Sequence, residues 1–276
     1  MPVSRRKFLG MSVAALGSAL ALSTGYLYWE SRLALERVQI PIKNLHPALE
    51  GFTIVQLSDF HFDSSVEIEL IKQAVALANS LNPDVLVLGG DYVTFTAETV
   101  FELGPLLAGL NARHGVFGII GNHDIWTDLP VVKQGLAEAR LPLLVNQGVP
   151  LAVGQAQLYL AGLDDAWNGR PNLRAALADY PPDAPVVLLA HEPDPADHYA
   201  QDSRISLQLS GHSHGGQVRL PGGSALILPY LGQKYDMGLY RVNQTWVYTN
   251  RGLGTVVEPI RLNCAPEVTE FTLVGA

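Results

Sequence analysis

From residue 50 onward, short apolar runs alternate with segments of helical length, and polar residues collect where the runs end. Residues 52–57 alternate as a strand does, residues 66–81 repeat their apolar positions at helical spacing, and residues 85–88 are a continuous apolar run that predicts a buried strand. A second unit follows, with a helix predicted over 98–110, a strand over 116–120 and a helix over 131–140. Strand, helix, strand repetition implies parallel pairing with helical crossovers.

Beyond Leu141 the pattern turns β-rich, with strands predicted at 158–160, 186–189, 206–209, 246–248 and 268–273 and one helix at 173–178. No Gly/Ser or Pro-rich linker divides the chain, and no internal repeat is present. The expected fold class is therefore α/β, with two packed β-sheets and helices outside them. Residues 51–276 form one catalytic domain in this reading, preceded by a lead-in segment at 30–50.

The first 29 residues are a separate object. Arg5, Arg6 and Lys7 precede a run without charge at 8–29, a pattern that resembles the twin-arginine export signal. Such a signal implies an encounter with the twin-arginine machinery and delivery across an inner membrane. Ala19-Leu20-Ala21 offers a cleavage site, yet about 20 apolar residues also suffice to span a bilayer. Tyr26, Tyr28 and Trp29 would suit the headgroup interface of such a span. Cleaved signal and retained anchor both stay open; the protein is expected in the periplasm or on the outer face of the cytoplasmic membrane.

Composition narrows the function. A chain of 276 residues that is 48% hydrophobic can bury one full core. Its formal net charge is -8 and no Lys/Arg cluster follows the first seven residues, which disfavours nucleic acid as a partner. Cys264 is the only cysteine, so neither an intramolecular disulfide nor a thiolate metal cluster can form, and the residue reads as a small buried hydrophobe.

Polar clusters stand just after the apolar runs, where an open α/β sheet builds its sites. They are Ser58-Asp59-Phe60-His61, Gly89-Gly90-Asp91, Gly121-Asn122-His123-Asp124, Ala190-His191-Glu192 and Gly211-His212-Ser213-His214-Gly215. Singly each is weak, since an Asp after a strand is often a cap and a lone His is often structural. Together, Asp59 with His61 and His212 with His214 make pairs two residues apart, which in an extended chain point to one side. Oxygen and nitrogen donors without thiolates suit Mn, Fe, Co or Zn better than Mg or Ca.

The ordered series D-x-H, G-D, G-N-H-D, H and G-H-x-H resembles the calcineurin-like metallophosphoesterases from about residue 52 to 273. Residues 234–240, 250–254 and Arg261 resemble an exported bacterial, YkuE/YaeI-like subgroup. The resemblance implies a four-layer α/β/β/α sandwich. It also implies two divalent ions, one held by Asp59, His61 and His214 and the other by Asn122, His191 and His212, with Asp91 bridging. His123 would contact the phosphate and protonate the leaving oxygen, Asp124 would orient its ring, and Asn122 would also meet substrate. Two such ions about 3.5–4 Å apart clamp phosphate oxygens and make a bridging hydroxide available for attack. The implied substrate is a phosphate ester, with a phosphodiester of an envelope or lipid component favoured by the export signal. Arg251, a cation in a Gly-rich loop after a strand, is a candidate for binding it.

Other readings compete. A UDP-2,3-diacylglucosamine-type pyrophosphatase is the nearest of them. Residues 211–215 also fit the G-x-S-x-G elbow of α/β-hydrolases, but that fold needs a histidine later in the chain and none follows His214. A non-catalytic metal- or phospholipid-binding module would show lost ligands, and the series is complete. His46, His114 and His198 read as structural, Glu192 and Asp194 as turn residues, and Asp164 and Asp165 as either caps or site residues.

Overall fold

The structure is a computed structural model that describes residues 32–63, 68–256 and 258–276; the export-type segment and residues 66–67 of the first predicted helix lie outside these. Among the described residues the chain forms two mixed sheets. The first has the order β1 (Ala34–Ile42), β11 (Glu267–Gly275), β2 (Thr53–Leu57), β3 (Val85–Leu88), β4 (Val116–Gly118). The second has the order β5 (Gln147–Val153), β6 (Ala156–Gly162), β7 (Val186–Leu189), β8 (Ile205–Ser210), β10 (Thr245–Thr249), β9 (Gly238–Val242).

The apolar runs are continuous because both faces of the central strands are covered. In β2 and β3, Ile54, Val85 and Val87 point between the sheets. Their neighbours Val55, Leu86 and Leu88 point outward, onto α1 (Ile68–Ser80), α2 (Val100–Leu107) and α4 (Leu129–Glu138). The second sheet repeats the division: Leu158, Leu160, Val187 and Leu189 meet the first sheet, while Tyr159, Ala161, Val186 and Leu188 face outward beside Ala176 and Tyr199. Each such side chain contributes about 1.5–3 kcal/mol when fully buried. The result is the expected α/β/β/α layering.

Three strands escape the sequence pattern, and all are edges. β1 occupies the lead-in segment and pairs in parallel with β11 from Ala34 opposite Glu267 to Ile42 opposite Gly275. β5 and β9 close the two sides of the second sheet. The helix expected over 98–110 is shorter, a 3-10 turn at Ala97–Thr99 running into α2, which accommodates Pro105.

Strand direction decides where the site lies. β2, β3 and β4 are parallel, as are β6, β7, β8 and β10. At their carboxyl ends the sheets are pinned together, the buried Gln56 Nε2 donating to the Ser210 carbonyl at 2.9 Å.

Candidate metal centre

All five polar clusters follow strands that end at this edge: β2, β3, β4, β7 and β8. The backbone turns sharply there. Asp59, His61, Asp91, His212 and His214 all have positive φ, from 45° at His61 to 69° at His212. Left-handed backbone costs a non-glycine residue free energy and gathers where geometry is over-determined by function. The premise of extended i, i+2 pairs is thereby corrected: the pairs do converge, but through left-handed turns. Gly90, with φ 93°, leaves no room for a side chain, since a Cβ there would lie 2.7 Å from the Gly121 nitrogen.

The side chains close into one buried cluster. His61 Nε2 and His191 Nε2 lie 3.4 Å and 3.1 Å from Asp91 Oδ2. His214 Nε2 lies 3.5 Å from Asp59 Oδ1 and 3.0 Å from His61 Nε2. Donor atoms fall into three groups able to hold an ion: Asp59, His61 and His214; Asp91, His191 and His212; and His61, Asp91 and His123. His123 thus reaches the same carboxylate as two expected ligands.

Hydrogen bonds behind the rings fix which nitrogen faces inward. His191 Nδ1 meets the Gly89 carbonyl at 2.7 Å, and His212 Nε2 meets that of Tyr230 at 2.7 Å. A ring nitrogen that donates to a carbonyl leaves the other as a lone pair for a metal. Asn122 Oδ1 is buried without a hydrogen-bond partner among the described residues, while His191 Nε2 faces the Asp91 carboxylate. An orphaned acceptor is costly in a folded core, and an ion would satisfy it. The donor set therefore fits divalent metals.

Charge is distributed unevenly. Burial acts to raise the Asp91 carboxyl, but His191 and His61 outweigh it and hold Asp91 well below the carboxylate range. Asp59 is raised, by burial above all and then by the Asp91 charge, with His191 opposing. Burial also lowers His214 and, with His191, brings His212 to about 4, so these two rings are neutral and competent as ligands. His123 is likewise lowered by burial, against the pull of Asp91.

Asp124 is expected from sequence to orient His123, and the structure places it otherwise. Its carboxylate accepts the backbone N–H groups of Gly121 at 2.9 Å, Asp91 at 3.0 Å and Tyr92 at 2.8 Å. It thus ties the start of α3 (Asn122–Trp126) to the β3 loop, and burial with the Asp91 charge pushes it up to about 7. The His123 ring is held instead by Nδ1 against the Thr94 carbonyl at 3.2 Å and by an edge contact with His61, centroids 4.7 Å apart. Its backbone N–H donates to Asp91 Oδ1 at 2.8 Å.

Arg251 also departs from its expected role. Its guanidinium faces Glu267 and, at 2.6 Å, Glu36, so its charge is committed to two carboxylates rather than presented to a substrate. Beside it the buried Arg261 donates to the carbonyls of Arg251, Gly252 and Gly254, holding their loop against Asp59 and His61. Asp165 and Glu192 act as caps: Glu192 accepts the Ala166 N–H at 2.9 Å and Asp165 that of Trp167 at 3.1 Å. Asp194 accepts from Gln233, Lys234 and Tyr235, fixing the loop that follows His214. His46 caps Ala48 and His114 packs on Phe52; neither joins the centre.

An aromatic wall was not legible. Trp126 packs on His123 at 4.7 Å and on Trp167 at 4.9 Å, and Trp167 reaches Tyr230 at 5.6 Å and His212 at 5.9 Å. Only the loop return after β6 brings Trp167 to Trp126, which no local pattern encodes.

The profile of the calcineurin-like phosphoesterase family matches residues 52–216, which contain all five motifs. The chain belongs to this family. Among calcineurin-like relatives it is 36% identical over 282 residues to the metallophosphoesterase YkuE of Bacillus subtilis (strain 168), covering 98% of each chain. It is 32% identical to the phosphodiesterase YaeI of Escherichia coli (strain K12), covering 99% of this chain and 100% of that one. It is also 30% identical to the UDP-2,3-diacylglucosamine pyrophosphatase LpxG of Chlamydia muridarum (strain MoPn / Nigg), covering 83% and 85%. As a calcineurin-like phosphoesterase, the protein is a metal-dependent hydrolase of phosphate esters.

Proposed function

We propose that this phosphoesterase hydrolyses a phosphodiester of a lipid or envelope component with two divalent ions bound together. The observation that carries the reading is the buried cluster of ring nitrogens and carboxylates around Asp91, with Asn122 Oδ1 left unpartnered. Asp59, His61 and His214 would hold one ion, Asn122, His191 and His212 the other, and Asp91 both. Bound there, the ions supply charge for the phosphate oxygens and make water a competent nucleophile near neutral pH.

The chain's own residues do the rest. Asp91, kept ionised by its histidines, offers one oxygen to the His191 side while the other accepts the His123 N–H. His123, anchored through Nδ1 at the Thr94 carbonyl, has Nε2 left to carry a proton to the leaving oxygen. The Glu267–Arg251–Arg261 assembly keeps the Asp59 loop in place.

Diester preference is supported by the likeness to a named phosphodiesterase, and the pyrophosphatase reading by the likeness to LpxG. Purified protein loaded with Mn, assayed on bis-p-nitrophenyl phosphate, p-nitrophenyl phosphate and UDP-2,3-diacylglucosamine, separates them. The diester is expected to be turned over fastest; a clear preference for the monoester contradicts the proposal, and one for the nucleotide lipid selects the pyrophosphatase reading.

The protein is placed, in the same reading, outside the inner membrane. Replacing Arg5 and Arg6 by Lys is then expected to strand folded precursor in the cytoplasm, measured by cell fractionation. Undiminished export of the double variant contradicts the twin-arginine assignment.

A further inference from the structure

The strand order brings the N-terminal side of the domain to the edge that holds the metal centre. β11 is antiparallel to β2, with Thr269 opposite Gln56, so β11 begins where β2 ends. β1 is parallel to β11, with Ala34 opposite Glu267, and so begins at that edge as well. Arg251 joins the two starts, pairing with Glu36 of β1 and Glu267 of β11. In the sequence, the uncharged run 8–29 therefore leads almost directly into a strand that starts beside the centre.

The same edge carries exposed apolar side chains. Phe95, 71% exposed, follows the threonine whose carbonyl anchors His123. Trp126, 47% exposed, packs on His123 itself. Tyr230, 58% exposed, presents its carbonyl to His212, and Leu226 and Ile227, the latter 80% exposed, lie in the loop leading to it. Single exposed hydrophobes are ordinary, but a group of them around a site mouth marks a binding surface. Tryptophan and tyrosine rings, apolar with one polar handle, suit the interface of a bilayer.

We propose that this rim seats on a lipid bilayer, so that the mouth of the centre faces the membrane and draws its phosphate ester from lipids there. The substrate half of this inference rests on the function proposed above, whereas the orientation rests on topology and exposure alone. With a formal net charge of -8 the chain is not drawn to anionic headgroups by its overall charge. Apolar seating is the remaining attraction, and it persists at salt concentrations that screen surface charge.

The test uses the full chain reconstituted in phosphatidylethanolamine–phosphatidylglycerol vesicles. Cys264 is the only cysteine and is buried, so Ile227→Cys takes a single environment-sensitive fluorophore. Lys43→Cys, exposed just past the far end of β1, serves as the reference position. The label at 227 is expected to shift to the blue on vesicles and to be several-fold less quenched by aqueous iodide than the label at 43, at low and high salt alike. Equal quenching at both positions overturns the proposal. So does a blue shift that appears without vesicles and grows with protein concentration, which assigns the rim to a second copy of the chain. Because the readout needs no turnover, a protein inactive on phosphodiesters leaves the orientation test intact.

Discussion

Asp91→Asn yields a folded protein that has lost bound metal along with turnover. Asp91 is the carboxylate nearest to both His61 and His191, and it is the one whose ionised form the surrounding histidines stabilise most. The substitution keeps an oxygen to accept the His123 N–H, so local folding persists, but it removes the charge shared between the two groups of donors. Metal affinity should therefore fall by more than the roughly 10–100-fold that follows loss of a residue merely supporting a ligand. Elemental analysis beside kinetics checks this. An Asp91→Asn protein that retains its full metal content at wild-type affinity contradicts the bridging role.

His123→Ala gives the opposite pattern, near-normal metal content with a rate reduced by about 10²–10⁴-fold, the scale of a general acid. The distances alone place His123 within reach of His61 and Asp91, so metal content is the deciding observation. The loss should shrink on p-nitrophenyl esters, whose leaving group needs little protonation. An undiminished loss there shows that the ring stabilises charge on the phosphate instead. A variant that sheds a metal ion makes His123 a ligand.

The central strands were legible because both their faces are covered, so runs such as residues 85–88 are apolar without interruption. Edge strands carry the opposite signature. β1 mixes Glu36, Arg37 and Gln39 with Ile40 and Ile42 and includes Pro41; β5 contains Pro150. Proline and charge are tolerated where one side of the ladder is open, and they erase the alternation by which strands are read. Edge position thus accounts for all three missed strands.

Among site residues, the histidines and carboxylates that gather at the strand ends were legible because each stands where an apolar run stops. What each does beyond that depends on partners distant in the chain. Asp124 faces the N–H groups of Asp91 and Tyr92, not the ring beside it in sequence. Arg251 looks like an unpaired cation in a glycine loop until β1, distant in sequence, brings Glu36 to it. The left-handed backbone at Asp59, His61, His212 and His214 likewise has no sequence signature, since none of these is glycine.

Metal content measured together with hydrolysis decides whether the buried cluster around Asp91 works as a pair of metal sites. Purified protein should carry two divalent ions per chain and hydrolyse bis-p-nitrophenyl phosphate. Dialysis against EDTA should remove ions and activity together, and Mn, Co or Zn should restore both where Ca does not. Full hydrolysis by protein shown to be free of metal, or restoration by Ca alone, contradicts it.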